Sequence, residues 1–435
     1  MAPPFLVLGL ETSCDETAAA VVGLDARGRA EVRSSVVASQ AARHAPFGGV
    51  VPEVAARAHL ELIEAVTQAA LAEAGVTLDA IDGIAATAGP GLVGAVMVGL
   101  SFGKALALAR GLPLAAVNHL EGHAVSARLA ADLPYPFLLL LVSGGHCQLL
   151  DVAGVGACRR LGSTIDDAAG EAFDKIAKAL GLAYPGGAAL EQLAIGGDPE
   201  RYPLPRALAG RGDCDFSFSG LKTAAARLAE TVESDEDRRD LAAGVQAAIA
   251  RQLAERSEHA MALYAAQHKS RQNRFVVAGG VAANAVVRAR LEATATDYGF
   301  AFTAPPLAYC TDNAAMIALA GAERLAAGLA DGLDAVARPR WPLDEAAAKA
   351  RPTHKPGRKG PIVYCAPESS AAAPGARRWR RWRRAPGSSQ RSGRARPQRS
   401  PTSTRAARTG SFCRGWRSTP SSARRASSQI SPTPS

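Results

Sequence analysis

The sequence predicts an α/β protein of two lobes, and three observations support this class. The 435-residue chain is long enough to bury two domains or two lobes of one. Apolar residues make up 48% of it but aromatic residues only 5%, a composition typical of closely packed helices and strands rich in small residues. A strand, a polar or glycine-rich turn and a second strand also occur in succession twice, near residues 7–24 and 137–152.

Charge divides the chain at residue 345. The net charge is +10, but the 90 residues after 345 contain 21 Lys and Arg and one acid, Glu368, so the first 345 residues carry −10. The basic segment has no Leu and no Asp and cannot form a core. We therefore expect an N-terminal lobe over 1–118, a C-terminal lobe with the metal and nucleotide sites over 119–345, and a disordered tail over 346–435.

The Arg-rich tail has two interpretations. The cluster Arg377–Arg384, with its two Trp, could contact phosphates and stack on bases, which would suit a non-enzymatic nucleic-acid binder. The Arg, Ala, Pro, Ser and Gly mixture is also what a shifted reading frame in GC-rich coding DNA produces. We favour that artefact over a binding role.

The cysteines and the apolar runs predict a cytoplasmic protein without a membrane partner. Seven scattered cysteines without a Cys-x-x-Cys pair favour a reducing compartment and argue against a disulfide framework or zinc ribbon. The run Phe5–Leu10 has no basic flank and is too short for a signal peptide. The run Phe137–Val142 is far shorter than the roughly 20 residues that span a membrane, and we assign it to a buried strand.

The first lobe begins with strand Val7–Leu10, the polar turn Glu11-Thr-Ser-Cys-Asp-Glu-Thr17 and strand Ala18–Leu24. The turn is either an ordinary hairpin or a phosphate-facing loop. The following elements are helices and strands whose glycines or prolines mark their starts. They are a helix from Gly48-Gly-Val-Val-Pro-Glu53 to about Glu73, a strand Ile81–Thr87, a helix from Gly89-Pro-Gly91 to about Arg110 and a strand Pro113–Val117.

Two histidines follow at a spacing that suits a metal ion. His119 and His123 lie one turn apart if their segment is helical. The alternative is two histidines on a solvated helix. Glu121 is placed on another side of such a helix, which argues against a metallopeptidase. Asp312 is either a helix N-cap or a third ligand that completes two imidazoles and a carboxylate with open positions.

The second strand–turn–strand unit consists of Phe137–Val142, Ser143-Gly-Gly145 and His146–Val152. Glycines let the backbone close around an anion. Two such turns facing each other across a cleft are the arrangement of an actin-like nucleotide-binding (ASKHA) fold. Later segments add a helix from Asp166, a strand-like alternation at Phe216–Thr223, and strand Phe275–Val277 entering Gly279-Gly280 before Asn284 at a helix start.

Nine motifs, taken in order, resemble those of the TsaD family, bacterial tRNA N6-adenosine threonylcarbamoyltransferases once classed as glycoproteases. The motifs are Glu11–Thr17, Gly48–Glu53, His119-x-x-x-His123, Leu141-Val-Ser-Gly-Gly-His146, Asp166–Lys175, Tyr184-Pro-Gly-Gly187, Phe216-Ser-Phe-Ser-Gly-Leu-Lys222, Gly279-Gly-Val-Ala-Ala-Asn284 and Thr311-Asp-Asn313. The resemblance extends from about residue 5 to residue 344. It implies the two-lobed actin/Hsp70-like fold.

The resemblance also implies an activity and a site. The family transfers a threonylcarbamoyl group from threonylcarbamoyl-AMP to the N6 amine of the adenosine 3′ of the anticodon, in tRNAs that read codons beginning with A. By matching position, His119, His123 and Asp312 would hold one divalent metal, iron in the family. The adenylate would contact Leu141, Val142, Ser143, Gly144, Gly145, Asp174, Gly187 and Asn284, with Glu191 on its ribose. TsaB and TsaE proteins would be partners.

The chain departs from the family pattern after the Pro-Gly-Gly turn, where Ala188 and Glu191 stand in place of Pro and Asp, and in its basic tail. An adenine amine is a weak nucleophile, and we hypothesise that Asp15 or Glu16 takes its proton or positions it. The rival function is an O-carbamoyltransferase or an ATPase on the same scaffold. The Ser-Gly-Gly-His146 and Phe216–Lys222 stretches favour the TsaD reaction.

Overall fold

The computed structural model describes residues 4–47, 49–183, 185–268 and 272–346. Gly48, Tyr184 and the predicted tail after residue 346 lie outside the described residues. The structure therefore tests neither interpretation of that tail. The described residues that belong to regular structure form two five-stranded sheets with helices packed around them.

The strands within the described residues fall into two sheets. They are β1 (Phe5–Glu11), β2 (Glu16–Leu24), β3 (Ala30–Ser39), β4 (Gly83–Gly89), β5 (Leu114–Asn118), β6 (Phe137–Val142), β7 (Cys147–Gly154), β8 (Ala157–Ser163), β9 (Asn273–Ala278) and β10 (Phe300–Thr303).

The α-helices of the same residues pack against these strands. They are α1 (Ala41–His44), α2 (Pro52–Glu73), α3 (Val93–Arg110), α4 (His119–Val125), α5 (Ala169–Ala179), α6 (Gly186–Leu193), α7 (Ser219–Ala229), α8 (Asp235–Gln267), α9 (Ala285–Asp297) and α10 (Ala314–Ala326).

The two sheets have the same topology. The first has the order β3-β2-β1-β4-β5 and the second β8-β7-β6-β9-β10, when each is read from its antiparallel edge. In each, a three-stranded antiparallel meander continues into two parallel strands. The predicted strand–turn–strand units are β1–β2 and β6–β7, which therefore occupy equivalent places in the two sheets. This repetition is what the two similar sequence patterns predicted.

The central strands are buried because their apolar runs are covered on both faces. All six residues of β6 are fully buried, and so are Val7, Leu8 and Leu10 of β1. Helix α10 packs on β1, β2 and β4, although its residues fall in the predicted C-terminal lobe. The predicted boundary at 118/119 coincides with the end of β5. Helix α10 follows this boundary in the chain, but it packs on the sheet that precedes the boundary.

One prediction of secondary structure was wrong. The alternation at Phe216–Thr223 was expected to be strand-like, but only Phe216 makes a β-bridge, to Thr164, and helix α7 begins at Ser219. Phe216 and Phe218 are both buried and their rings stack with centroids 6.2 Å apart. The alternation of apolar and polar residues therefore comes from two buried aromatic rings in the segment before α7, and not from a strand.

Helix α3 is, within the described residues, the one helix long and apolar enough to be a candidate membrane span. Its glycines and small residues pack against β4 and α2. Gly103, for example, approaches Ala86 so closely that an added Cβ would lie 2.9 Å from that side chain. These contacts assign α3 to the layer that covers the first sheet.

Candidate functional site

The predicted metal ligands converge in the structure. His119 and His123 occupy the first and second turns of α4, which begins directly after β5 and is capped by Asn118. The Oδ1 atom of Asp312 lies 3.1 Å from Nε2 of His123 and 3.5 Å from Nε2 of His119. One potential ligand atom from each of the three residues lies within 4.8 Å of the others.

Asp312 faces the histidines because another residue caps the following helix. The side chain of Asn313, not that of Asp312, accepts the N–H of Met316 at the start of α10. The N-cap interpretation of Asp312 is therefore wrong. Glu121 points elsewhere and pairs with Arg324 at 3.5 Å, which leaves no carboxylate of α4 at the triad.

Glu11, which the sequence did not single out, holds His119 from behind. Its Oε2 lies 2.9 Å from Nδ1 of His119 and accepts a hydrogen bond from Thr87, and its Oε1 accepts the N–H of Ser13. All of these groups are buried. Because a carboxylate only accepts, Nδ1 of His119 carries the proton and Nε2 is directed to the triad. Its place at the end of β1, as the first residue of the predicted polar turn, was the available signal.

Electrostatics tie these groups together. Burial lowers the pKa of His119, but the charges of Asp312 and Glu11 outweigh burial and raise it well above its usual value. Burial raises the pKa values of Asp312 and Glu11, but the charge of His119 and its hydrogen bonds hold both below their usual values. The cluster thus binds positive charge strongly between two ionised carboxylates.

The residues of the triad fit a divalent metal. Two imidazole nitrogens and one carboxylate oxygen converge in a buried place, and such a donor set with open positions is one that Fe²⁺ and Zn²⁺ both use in proteins. Nδ1 of His123 is buried without a partner among the described atoms, and Nε2 of the same ring lies 3.1 Å from Asp312.

Asp15 and Glu16 lie at the end of the β1–β2 turn. Asp15 is 7% exposed, and Glu16 begins β2. Burial raises the pKa of Glu16 to about 9, with further contributions from the charges of Asp312 and Asp15. At neutral pH and without a cation at the triad, Glu16 is therefore protonated.

A cavity of about 280 Å³ opens beside the triad. Five of the predicted substrate-binding residues line it, together with Thr311, the neighbour of Asp312: Gly144, Asp174, Gly187, Glu191 and Asn284. Residues that the sequence analysis did not assign also line it, among them Gly170, Phe173 and Gly280. The N-terminal ends of α5, α6 and α9 meet here, and the positive ends of their helix dipoles suit an anion.

The other predicted adenylate contacts are placed differently. The side chains of Leu141 and Val142 are fully buried in β6 and do not line this cavity. Ser143 accepts the N–H of Gly170 through its carbonyl and the N–H of His146 through its hydroxyl. Gly145 lines a second cavity on the other side of the turn.

Several polar groups of the 280 Å³ cavity are already hydrogen-bonded. Asp174 accepts the N–H of Gly186 at 2.9 Å. Asn284 caps α9 through Val287 and donates to Gln246. Glu191 accepts the N–H of Ala285 with Oε1 at 2.8 Å, so its second carboxylate oxygen is the atom left for a ribose hydroxyl.

Comparison with known proteins identifies the family. The sequence profile of TsaD, described as tRNA N6-adenosine threonylcarbamoyltransferase, matches residues 31–319. A protein of that name from Caulobacter vibrioides is 73% identical over 355 residues, covering 82% of this chain and 97% of the relative. The chain belongs to the TsaD family. A second TsaD relative of the same name, from Maricaulis maris, is 58% identical and covers 82% of this chain and 95% of its own length.

The crystal structure of T. kodakarensis HypF supports the fold. It superposes with a TM-score of 0.50 at 15% identity and covers 75% of this chain and 48% of that protein. At this identity the likeness concerns the fold alone, and it confirms the predicted actin-like (ASKHA) architecture.

Proposed function

We propose that this chain transfers a threonylcarbamoyl group from threonylcarbamoyl-AMP to the N6 amine of the adenosine 3′ of the anticodon in tRNAs that read codons starting with A. It is an acyltransferase of the TsaD family. The observation that supports this function most directly is the position of the triad His119, His123 and Asp312 beside the cavity lined by Gly144. The reaction needs a place for the donor phosphate, which the cavity would provide, next to a group that activates the reacting carbonyl, which the metal-loaded triad would provide.

We propose that the enzyme depends on one divalent metal per chain, with Fe²⁺ the metal that the family resemblance favours. His119, His123 and Asp312 would hold it, and Glu11 would keep the His119 ring oriented. When bound, such a metal polarises the oxygens of the mixed anhydride or orients it.

The Gly144 side of the glycine turn and the helix starts are proposed to hold the adenylate. The turn at Gly144 is in contact with the start of α5, since an added Cβ at Gly170 would lie 2.7 Å from the Cα of Gly144. Backbone N–H groups in this arrangement can stabilise the negative charge that develops on the departing AMP phosphate. Asp174 and Glu191 frame the same cavity on the side of α5 and α6.

The attacking amine must lose a proton. Burial raises the pKa of Glu16 to about 9 when no cation is present at the triad, and a bound metal would offset the charge of Asp312 that contributes to this shift. We therefore keep both candidates and propose that Asp15 or Glu16 accepts the proton or positions the amine.

We propose that TsaB and TsaE proteins are partners, that tRNA is the acceptor and that the enzyme works in the cytoplasm. The first 345 residues carry a net charge of −10, which would repel RNA at long range. The tRNA must therefore be held by a local basic surface or by a partner protein.

The decisive experiment compares acceptors and donors in one purified system. The full chain, with TsaB and TsaE proteins supplied, is given threonylcarbamoyl-AMP and a tRNA transcript with A or G at the position 3′ of the anticodon. We expect modification of the A transcript only. Transfer of a carbamoyl group to a small hydroxyl acceptor, or ATP hydrolysis without tRNA modification, would instead establish the rival function.

A further inference from the structure

A second cavity, of about 350 Å³, lies on the other side of the Ser143–His146 turn. Its walls come from five separate stretches of the chain: Pro90, Leu120, the segment Gly145–Gln148, the segment with Arg160, Ser163 and Thr164, and the segment Pro339–Pro342. Leu120 is the neighbour of the metal ligand His119. Cavities of this size bury small ligands of the dimensions of a nucleoside.

The walls carry polar groups that the protein itself does not use. Within the part of the chain that the structure describes, the side chains of His146, Gln148 and Arg340 make no hydrogen bond or ion pair. They line the cavity together with the indole of Trp341. An amide, an imidazole, an aromatic ring and a cation form a set suited to a base and a phosphate.

The segment with Trp341 and Arg340 is fixed in place. The N–H of Arg338 donates to the carbonyl of Ala88 at 2.7 Å, and Nδ2 of Asn118 donates to the carbonyl of Trp341 at 3.0 Å. The Arg338 guanidinium lies 4.4 Å from the centre of the Trp341 ring. This wall is therefore built before any ligand binds, which favours a binding role over a surface loop.

The two cavities share one turn, and each is lined by a residue that adjoins the triad in the chain: Thr311 in the first and Leu120 in the second. Gly144 lines the cavity proposed for the adenylate, and Gly145 lines the second one. In an acyl transfer the nucleophile and the leaving group need separate places around the carbonyl carbon. Arg340 also lines this cavity in a body of net charge −10, so the cavity supplies a cation for an RNA phosphate.

We propose that this second cavity is the acceptor subsite, which takes the adenine base of the tRNA nucleotide in an unstacked conformation. Trp341 and His146 form its walls, Gln148 contacts an edge of the base, and Arg340 contacts an adjacent phosphate. This inference rests on the proposed function. It places the N6 amine on the Gly145 side of the triad and the AMP leaving group on the Gly144 side.

Adjacent glycines provide a matched test. Neither Gly144 nor Gly145 has a heavy atom within 4 Å of an added Cβ, and neither has a positive φ, so a β-carbon at either position fits the fold. In the full system, we expect Gly145→Val and Gln148→Ala to raise KM for tRNA at least about fivefold while the Kd for the adenylate stays unchanged. Gly144→Val should do the reverse.

Two replacements of Trp341 distinguish the loss of its aromatic ring from the loss of side-chain volume. Trp341→Leu should raise KM for tRNA by a similar factor, and Trp341→Phe should restore it, with thermal unfolding used to confirm that each variant is folded. Unchanged KM for tRNA in Gly145→Val, Gln148→Ala and Trp341→Leu, beside normal wild-type transfer, would overturn the acceptor subsite alone. A raised Kd for the adenylate in these variants would also overturn it, since the cavity would then belong to the donor. A wild-type chain without any transfer to tRNA would overturn the proposed function and this inference together.

Discussion

The β1–β2 turn and the β6–β7 turn occupy equivalent places in the two sheets but are built from different groups. The first turn carries buried side chains, with Glu11 and Ser13 both in hydrogen-bond contact with His119. The second turn carries Gly144 and Gly145, around whose Cα atoms space is open. The same scaffold thus places charged side chains at the β1–β2 turn and exposed glycine backbone at the β6–β7 turn. This difference supports the proposal that a metal is held beside the first turn and the donor phosphate at the second.

The largest effect is expected from loss of a ligand beside the first turn. His123→Ala should lower the affinity for the divalent metal by more than about 100-fold, since even the loss of a group behind a ligand costs about 10- to 100-fold. Metal content after dialysis measures this directly. His268→Ala, which removes a histidine bonded to Asp151 on the second sheet, serves as the control and should keep its metal. Equal metal content in both variants would refute the triad.

Removal of the carboxylate behind His119 should have the next largest effect. Glu11→Ala should lower metal affinity by about 10- to 100-fold, because the His119 ring loses the acceptor that fixes it. It should also destabilise the fold by about 1–3 kcal/mol, because the Thr87 hydroxyl and the Ser13 N–H lose their buried partner. Glu11→Gln keeps an acceptor oxygen and should show a smaller loss of affinity. Wild-type affinity in Glu11→Ala would show that the hydrogen bond does not position the ligand.

The fold should be destabilised by a methyl group added at Gly170, on the α5 side of the second turn, and not by one added at Gly144, on its open side. Gly170→Ala puts a Cβ 2.7 Å from the Cα of Gly144 and from the carbonyl oxygen of Ser143, and we expect a loss of about 1–3 kcal/mol in the free energy of unfolding. Gly144→Ala adds the same methyl group on the open side and should leave stability unchanged. Chemical denaturation of the two variants measures both. Equal stability would mean that α5 does not support the turn.

The smallest effect concerns Glu16. Its raised pKa means that, without a cation, the folded state keeps a proton that the unfolded state releases above pH 4.5. Stability is therefore lost as pH rises from about 4.5 to about 9. Glu16→Gln removes this loss, so the metal-free variant should match the wild type in Tm at pH 5 and equal or exceed it at pH 8. A Tm below that of the wild type at pH 8 alone would contradict a protonated Glu16.

The sequence predicted the parts of the site that lie on short motifs. The four-residue spacing of His119 and His123 and the two similar turns anticipated the triad and the glycine-lined cavity. It did not predict the strands β3, β8 and β10, because their half-exposed residues lack long apolar runs. Glu11 was missed as a partner of His119 because residues 108 apart in the chain show no periodicity.

Burial and local hydrogen bonding decided the remaining differences. Asn313 took the capping role that the sequence allowed for Asp312, since both residues favour helix starts. Leu141 and Val142 share a motif with Gly144, but their side chains point to opposite faces of β6 and both faces are covered, so both side chains are buried. Neither outcome can be read from residue type alone.

The central claim is that one metal, held beside the first turn, serves a donor held at the second. The most direct measurement titrates metal-free full-length chain with Fe²⁺, in the presence of the partner proteins, and counts threonylcarbamoyl groups transferred to tRNA. Transfer should rise in proportion to added metal and saturate at one ion per chain, and His123→Ala should show no such saturation. Full transfer by the metal-free chain, or an identical titration curve for His123→Ala, would contradict it.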